Sequence, residues 1–184
     1  MSAAGVPDDV ERILLDEGTL ARRVGDLARQ ISADYQGHDL VLLGVLKGAV
    51  VFLADLMRAL EVPVAVEFVS AASYGDSTSS SGEVDLKLGG CTDLRGRDVL
   101  IVEDIVDTGQ TLSRLAQEVA RMGPASLKIC CLLDKPSRRV ADLKPDYTGF
   151  EIPDLFVVGY GLDFAQKHRD LPYVAVLKPE TSRR

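Results

Sequence analysis

One short segment of the chain restricts its fold more than any other. Val99–Val102 is an uninterrupted run of apolar residues, and Glu103, Asp104 and Asp107 follow it almost at once. Such a run indicates a strand buried on both faces, which is typical of a parallel sheet covered by helices. Apolar residues then recur at helical spacing from Gln110 to Met122. The segment therefore predicts a strand, a loop and a helix of an α/β fold.

The same alternation of strands and helices runs through the rest of the chain. Helices are predicted from about Thr19 to Tyr35 and after Gly48, where Leu53, Leu56, Met57 and Leu60 form an apolar face. Strands are predicted at Leu40–Leu46, Val62–Val69, Leu127–Leu133, Phe156–Val158 and Tyr173–Leu177. The fold class is therefore α/β, with a mostly parallel sheet flanked by helices. No repeat or linker divides the 184 residues, so we expect a single domain.

Charge and composition exclude several classes of function. With Lys and Arg totalling 21 and Asp and Glu totalling 28, the net charge is −7 and no long basic run occurs. Binding to nucleic acid or to an anionic membrane is therefore not expected. The N-terminus has no secretory pattern, and the most apolar stretch, Val41–Ala54, contains Lys47 and is too short to span a bilayer. We expect a cytoplasmic protein.

The cysteines and histidines predict neither a disulfide nor a zinc site. Cys91 stands alone, and the adjacent Cys130 and Cys131 lie in an apolar run. Without a Cys-x-x-Cys pair, we expect plain buried thiols in a reducing compartment. His38 and His168 are isolated in the sequence, which argues against a His-based zinc site.

The end of the Val99–Val102 strand carries the strongest chemical pattern. Carboxylates crowded beyond a strand end repel one another unless a cation lies among them, and Mg²⁺ is the cation that prefers oxygen ligands. Free N–H groups at the start of the following helix, with the Thr108 and Thr111 hydroxyls, form an anion cradle that Gly109 lets a phosphate approach. Solvated acids beside a capped turn are the alternative. The complete unit of strand, carboxylates, loop and helix favours function.

The sequence Val102–Leu112, VEDIVDTGQTL, resembles the signature of type I phosphoribosyltransferases, which bind phosphoribosyl pyrophosphate. Its acid-rich form is similar to the 6-oxopurine branch, the hypoxanthine-guanine phosphoribosyltransferases. The resemblance extends from about Leu40 to Leu177. It implies a type I phosphoribosyltransferase fold in one domain, 1–184, with a core over about 37–135. A small hood would comprise about 136–184 and the N-terminal segment.

The resemblance also implies which residues bind the phosphates. Val45–Gly48 resembles the pyrophosphate loop, in which a cis peptide precedes the lysine, so Lys47 and Gly48 would bind pyrophosphate together with Arg169. The 5′-phosphate would be bound by Asp107, Thr108, Gly109, Gln110 and Thr111. Gln110 stands where some members have lysine, so a positive contact is missing there. Ser73 and Tyr74, at the start of the serine-rich stretch 70–82, resemble the lid loop that closes over the site.

Purine and metal ligands follow from the same resemblance. Lys135 would donate to the purine O6, and Asp107 would be the general base that takes the N7 proton. Phe156 would stack on the base, while Ile105 and the main chain of Val157 would complete its pocket. Mg²⁺ would be bound by Glu103, Asp104 and Asp163.

Taken singly, three of these residues have simpler interpretations. Lys47 has the pattern of a surface lysine whose stem lies in an apolar stretch. Lys135 has the pattern of a surface lysine in a turn, and Phe156 that of a core aromatic.

The implied activity is transfer of a phosphoribosyl group from phosphoribosyl pyrophosphate to hypoxanthine or guanine, by a homodimer or homotetramer. Two alternatives share the scaffold. An RNA-binding attenuation regulator would require a basic face, which the net charge of −7 disfavours. A sister enzyme acting on orotate, uracil or adenine is disfavoured by Lys135 with Phe156–Val157. The sequence does not rank hypoxanthine, guanine and xanthine.

Overall fold

The computed structural model describes residues 6–70, 87–88 and 93–182. The helices are α1 (Glu17–Asp34), α2 (Val50–Ala59), α3 (Gln110–Arg121) and α4 (Pro179–Ser182), and a 3₁₀ turn occurs at Pro136–Arg138. The strands are β1 (Val10–Leu15), β2 (Leu40–Leu46), β3 (Val64–Ser70), β4 (Lys87–Leu88), β5 (Asp98–Val106), β6 (Ser126–Asp134), β7 (Tyr147–Glu151), β8 (Val157–Val158) and β9 (Val174–Leu177).

The main sheet has the strand order β4-β3-β2-β5-β6-β7. All neighbouring strands from β3 to β7 pair in parallel, and β4 alone pairs antiparallel. Helices α1 and α2 contribute side chains to the core on one face of the sheet, and α3 contributes to the core on the other. The apolar run of β5 is fully buried because helices cover both faces. The predicted α/β class with a mostly parallel sheet is confirmed.

A second, smaller sheet joins the two ends of the chain. Its order is β1-β9-β8, and both pairings are antiparallel. Strand β7 lies inside the range 136–184 that the sequence assigns to the hood, yet it pairs with β6 and extends the main sheet. The second sheet therefore takes only β8 and β9 from that range, together with β1 from the N-terminal segment.

The topology determines where a ligand can bind. From β2 the chain crosses to β3 on one side, and it later returns to place β5 on the other side of β2. The strand order reverses between β2 and β5, and ligands of open α/β sheets bind beyond the carboxyl ends of strands at such a point. The loop at Lys47 and the loop at Asp107 both leave this edge of the sheet.

Several details differ from the sequence prediction. Met57 is 39% exposed, because Phe52, Leu53 and Leu56 already form the face of α2 that packs on the core. Strand β5 continues to Val106, so Glu103 and Asp104 lie within the strand rather than beyond it. Strands β1 and β7 were not predicted.

The cysteines that the structure describes are buried thiols, as the sequence predicts. Cys130 and Cys131 are free and buried, and burial raises the pKa of the Cys131 thiol to about 12. Cys91 lies outside the described residues. Among the helices that the structure describes, none combines the length and apolar character that crossing a bilayer requires.

Candidate active site

The loop between β5 and α3 contains the predicted phosphate-binding residues. Gly109 has φ +77° and immediately precedes α3, a conformation that L side chains rarely adopt. The N–H of Gln110 points toward the Thr108 hydroxyl, with the N and Oγ1 atoms 3.5 Å apart. This geometry places the loop at the positive end of a helix of 12 residues, where backbone N–H groups are free to bind an anion.

The Arg139 side chain contacts the same loop and stabilises it. Its guanidinium donates to the Asp107 carbonyl at 3.2 Å and to the Leu143 carbonyl at 2.6 Å, and it forms an ion pair with Asp134. The Thr108 carbonyl accepts hydrogen bonds from the backbone N–H groups of residues 140 and 141. Arg139 is therefore a structural support of the predicted phosphate-binding loop, and nothing in the local sequence pattern predicts this role.

The predicted pyrophosphate residues meet at one corner of the site. The Leu46–Lys47 peptide bond is cis, as the resemblance predicts. A Cβ atom added to Gly48 would lie 1.6 Å from Asp104 Oδ2, and one added to Gly161 would lie 2.1 Å from the Gly48 carbonyl oxygen. Gly161 in turn accepts a hydrogen bond from Arg169 Nη1 at 2.7 Å. Only glycines allow the two loops to approach this closely.

Charged side chains complete this corner. Arg169 Nη2 lies 2.6 Å from Asp163 Oδ1, and the other oxygen of Asp163 accepts from the Gln166 N–H at 2.9 Å. Lys47 is exposed and has no ion-pair partner among the residues that the structure describes. The corner therefore brings the predicted pyrophosphate ligands beside Asp104 and Asp163.

The adjacent carboxyl groups of Glu103 and Asp104 are costly to ionise. Burial is the main cause that raises the pKa of each, and the charge of Asp104 raises the pKa of Glu103 further. Asp104 is only 9% exposed, and its Oδ1 accepts from the Ile105 N–H at 2.8 Å. A divalent cation would remove the electrostatic cost of this pair.

Carboxylate oxygens are the ligand type that Mg²⁺ prefers, so these residues fit that ion. In the described part of the chain, no group of three or more His, Cys, Asp or Glu side chains is placed to hold a metal ion. Glu103 and Asp104 would therefore be a partial ligand set, of the kind used where Mg²⁺ retains waters and binds substrate phosphates.

The predicted purine end of the site is built around Lys135. This residue is 6% exposed, which excludes the simpler interpretation as a surface lysine. Its Nζ lies 3.7 Å from Asp107 Oδ2 and 3.7 Å from Asp154 Oδ1. Arg138 lies on the opposite side of the same carboxylates, with Nε 2.9 Å from Asp107 Oδ1 and Nη1 3.6 Å from Asp154 Oδ2. Asp154 and Arg138 were not predicted as site residues.

Phe156 is 44% exposed, so it is not a core aromatic. Its ring meets that of Phe164 edge to face, with 5.5 Å between centroids. Val157 is buried in β8, an edge strand of the small sheet, and Ile105 is half-buried near the end of β5. Ser73 and Tyr74, predicted to start the lid loop, lie outside the described residues.

Fold and site together define the class of protein. The family described as "Phosphoribosyl transferase domain" matches residues 12–165, so the chain belongs to this family. The hypoxanthine-guanine phosphoribosyltransferase of Bacillus subtilis (strain 168) is 47% identical over 171 residues, which cover 93% of this chain and 95% of that protein. The enzyme of the same name from Mycobacterium avium is 46% identical over 179 residues, covering 94% and 88% of the two chains.

Solved structures agree with this relationship. The crystal structure of a hypoxanthine phosphoribosyltransferase from Staphylococcus aureus (tetragonal form) superposes with a TM-score of 0.88 at 42% identity, covering 94% of each chain. A hypoxanthine phosphoribosyltransferase variant from Trypanosoma cruzi in a ternary substrates complex gives a TM-score of 0.89 at 41% identity and covers 96% of this chain and all of that one. Within its family, the chain is thus a member of the hypoxanthine-guanine phosphoribosyltransferases, and the resemblance seen in the sequence is confirmed.

Proposed function

We propose that the chain transfers the phosphoribosyl group of phosphoribosyl pyrophosphate to N9 of hypoxanthine or guanine, forming IMP or GMP and releasing pyrophosphate. The observation that carries the proposal is the placement of Asp107. Its side chain lies 3.7 Å from the buried Lys135 ammonium, and its backbone begins the loop that leads into α3. The Asp107 side chain, which is suited to contact the edge of the purine, and the phosphate-binding segment therefore belong to the same loop.

In the proposed reaction, the N9 lone pair forms a bond to the sugar C1′ while the bond from C1′ to the pyrophosphate oxygen breaks. Asp107 accepts the N7 proton of the purine as this charge develops. A carboxylate positioned as a general base contributes about 10²–10⁴ in rate. Lys135 donates to O6, which favours a 6-oxopurine and disfavours adenine, because a 6-amino group is no acceptor for an ammonium. Phe156 stacks on the base, and Ile105 and the main chain of Val157 border it.

The phosphates are bound at two places in this proposal. The 5′-phosphate lies against the N–H groups of Thr108, Gly109, Gln110 and Thr111, at the start of α3. The leaving pyrophosphate lies against Lys47, Gly48 and Arg169. Donors and cations fixed where negative charge develops stabilise the transition state more than the ground state.

Glu103 and Asp104 would hold Mg²⁺, and Asp163 would support a second ion beside Arg169. When bound, Mg²⁺ supplies positive charge that neutralises the departing pyrophosphate. The chain's contribution is to keep Asp104 buried and Glu103 and Asp163 partly buried, next to the two phosphate-binding loops.

The remaining features are proposed on the resemblance. Residues 1–184 act as a single domain in which the hood covers the purine. Ser73 and Tyr74 belong to a lid that excludes water from the sugar centre. The enzyme works as a homodimer or homotetramer in the cytoplasm, without nucleic-acid or membrane partners.

A spectrophotometric assay with phosphoribosyl pyrophosphate and Mg²⁺ tests the proposal against hypoxanthine, guanine, xanthine, adenine and uracil. We expect turnover of hypoxanthine or guanine and none of adenine or uracil. Asp107→Asn should lower kcat by about 10²–10⁴ and leave the KM for phosphoribosyl pyrophosphate within about twofold. Asp142→Asn, at an exposed carboxylate of the same half of the chain, is the matched control. Absence of turnover with every purine would reject the proposed activity. A rise in the KM for phosphoribosyl pyrophosphate as large as the fall in kcat would reject the role of Asp107.

A further inference from the structure

The four charged side chains at the purine end form a closed ring of alternating charge. Asp107 shares its two carboxylate oxygens between Lys135 and Arg138, and Asp154 does the same. Each cation therefore has two carboxylate partners, and each carboxylate has two cation partners. We call these four side chains the purine-edge ring.

Burial is uneven around the purine-edge ring. The Lys135 side chain is only 7% exposed, whereas those of Asp107, Arg138 and Asp154 are 40%, 48% and 53% exposed. A buried ammonium is costly unless a counter-charge remains close to it. Lys135 is therefore the member that depends most on its partners.

We propose that Asp154 is a positioning residue that holds the Lys135 ammonium toward the purine O6. This inference rests on the proposed function, in which Asp107 takes the N7 proton. Once protonated, Asp107 no longer carries a charge, and Lys135 and Arg138 each lose one of their two counter-charges. Asp154 is then the remaining anion of the ring and keeps the donor to O6 in place.

The backbone around Asp154 is suited to this role. The Ile152 N–H donates to the Asp134 carbonyl at 2.8 Å, and the Leu155 N–H donates to the Pro153 carbonyl at 2.8 Å. The segment that contains Asp154 is thereby tied to the strand end that precedes Lys135. The stacking residue Phe156 follows two positions later, so the same segment positions the two groups proposed to contact the base.

A pair of ligands tests the proposal without requiring turnover. IMP contains the purine and the 5′-phosphate, whereas ribose 5-phosphate contains only the sugar phosphate. Calorimetric titration of Asp154→Asn should show IMP binding weakened about tenfold, with ribose 5-phosphate binding within about twofold of the parent. In steady-state assays the KM for hypoxanthine should rise by a similar factor, and the KM for phosphoribosyl pyrophosphate should not.

Two variants make the comparison specific. Asp154→Glu retains the charge and should recover most of the IMP affinity. Asp142→Asn removes an exposed carboxylate of the same region, for which the described residues offer no ion-pair partner, and should behave as the parent. Because Asp154 is itself about half exposed, its variants should fold, and Asp154→Ala provides the same contrast if the Asn variant does not.

The outcomes separate the two proposals. If Asp154→Asn binds IMP as well as Asp142→Asn does, or weakens IMP and ribose 5-phosphate equally, the positioning role is wrong. If the parent enzyme fails to turn over any purine, the proposed function is wrong instead. An active parent with an unaffected Asp154→Asn variant would overturn this inference alone.

Discussion

Replacing Gly161 by alanine should separate the two loops of the pyrophosphate corner. The residue has φ +100°, and an added Cβ would lie 2.1 Å from the Gly48 carbonyl oxygen and 3.6 Å from Val51 Cβ. The nearest atom belongs to the backbone, so no side-chain rotation relieves the contact. Either Gly48 or the Gly161–Arg169 pairing has to move.

The structure allows the size of the effect to be worked out. Ordinary contacts of a Cβ begin at 3.4 Å, so the two loops must separate by more than about 1 Å, and a misplacement of this size costs about 10²-fold in rate. The left-handed conformation adds about 1–2 kcal/mol of strain. Gly96→Ala is the matched control for strain, because Gly96 has φ +72° and nothing within 4 Å of the added Cβ.

Urea unfolding and steady-state kinetics on both variants distinguish strain from displacement. Both variants should lose stability, and Gly161→Ala should also lose about 10²-fold in kcat/KM for phosphoribosyl pyrophosphate. Gly96→Ala should retain parental kinetics. The reasoning fails if Gly161→Ala keeps kcat/KM within about threefold of the Gly96→Ala value.

Two further predictions concern the carboxylate pair and the stacking residue. Because the folded-state pKa values of Glu103 and Asp104 are raised, the folded protein binds protons more readily than the unfolded chain, and metal-free stability should fall as pH rises above about 4. Asp104→Asn should weaken that decline, and urea midpoints measured in EDTA between pH 4 and 8 check it; an unchanged slope would contradict the assignment. Phe156→Ala should raise the KM for hypoxanthine by about tenfold, as expected for loss of a base–aromatic stack worth about 1–3 kcal/mol. A parallel assay should find the KM for phosphoribosyl pyrophosphate unchanged, whereas equal changes in both would indicate a general defect of the hood.

The parts of the fold that were predictable are those in which burial is encoded by local periodicity. The apolar run of β5 is buried on both faces, and Leu112, Leu115 and Val119 of α3 lie in the core at helical spacing. Strand β7 carries no such pattern. A Cβ added to its Gly149 would lie 2.3 Å from the Leu132 carbonyl oxygen, so this strand requires close contact with β6 in addition to the packing of Tyr147 in the core.

The residues of the candidate site likewise divide into those that the local sequence predicts and those that it does not. The phosphate loop is continuous in sequence, so its carboxylates, glycine and helix start could be interpreted together. Asp154 acquires its ion-pair partners, and Arg139 its contact with the Asp107 carbonyl, only when β6, β7 and the β5 loop are brought side by side. The spacing of residues in the sequence does not predict those contacts. The family resemblance indicated Lys135 as a purine ligand, but it did not indicate which carboxylates pair with its ammonium group.

The carboxylate pair explains how a chain with a net charge of −7 can suit a polyanionic substrate. Glu103 and Asp104 are costly to ionise while they are buried together without a cation. A dication that arrives with the substrate phosphates would relieve that cost and would at the same time screen the phosphates from the acidic chain. Binding of metal and substrate should therefore be favourably coupled in this protein, because each neutralises charge that the other would otherwise face alone. Net charge, which argues against binding of extended polyanions, carries no information on a small anion that brings its own counter-ion.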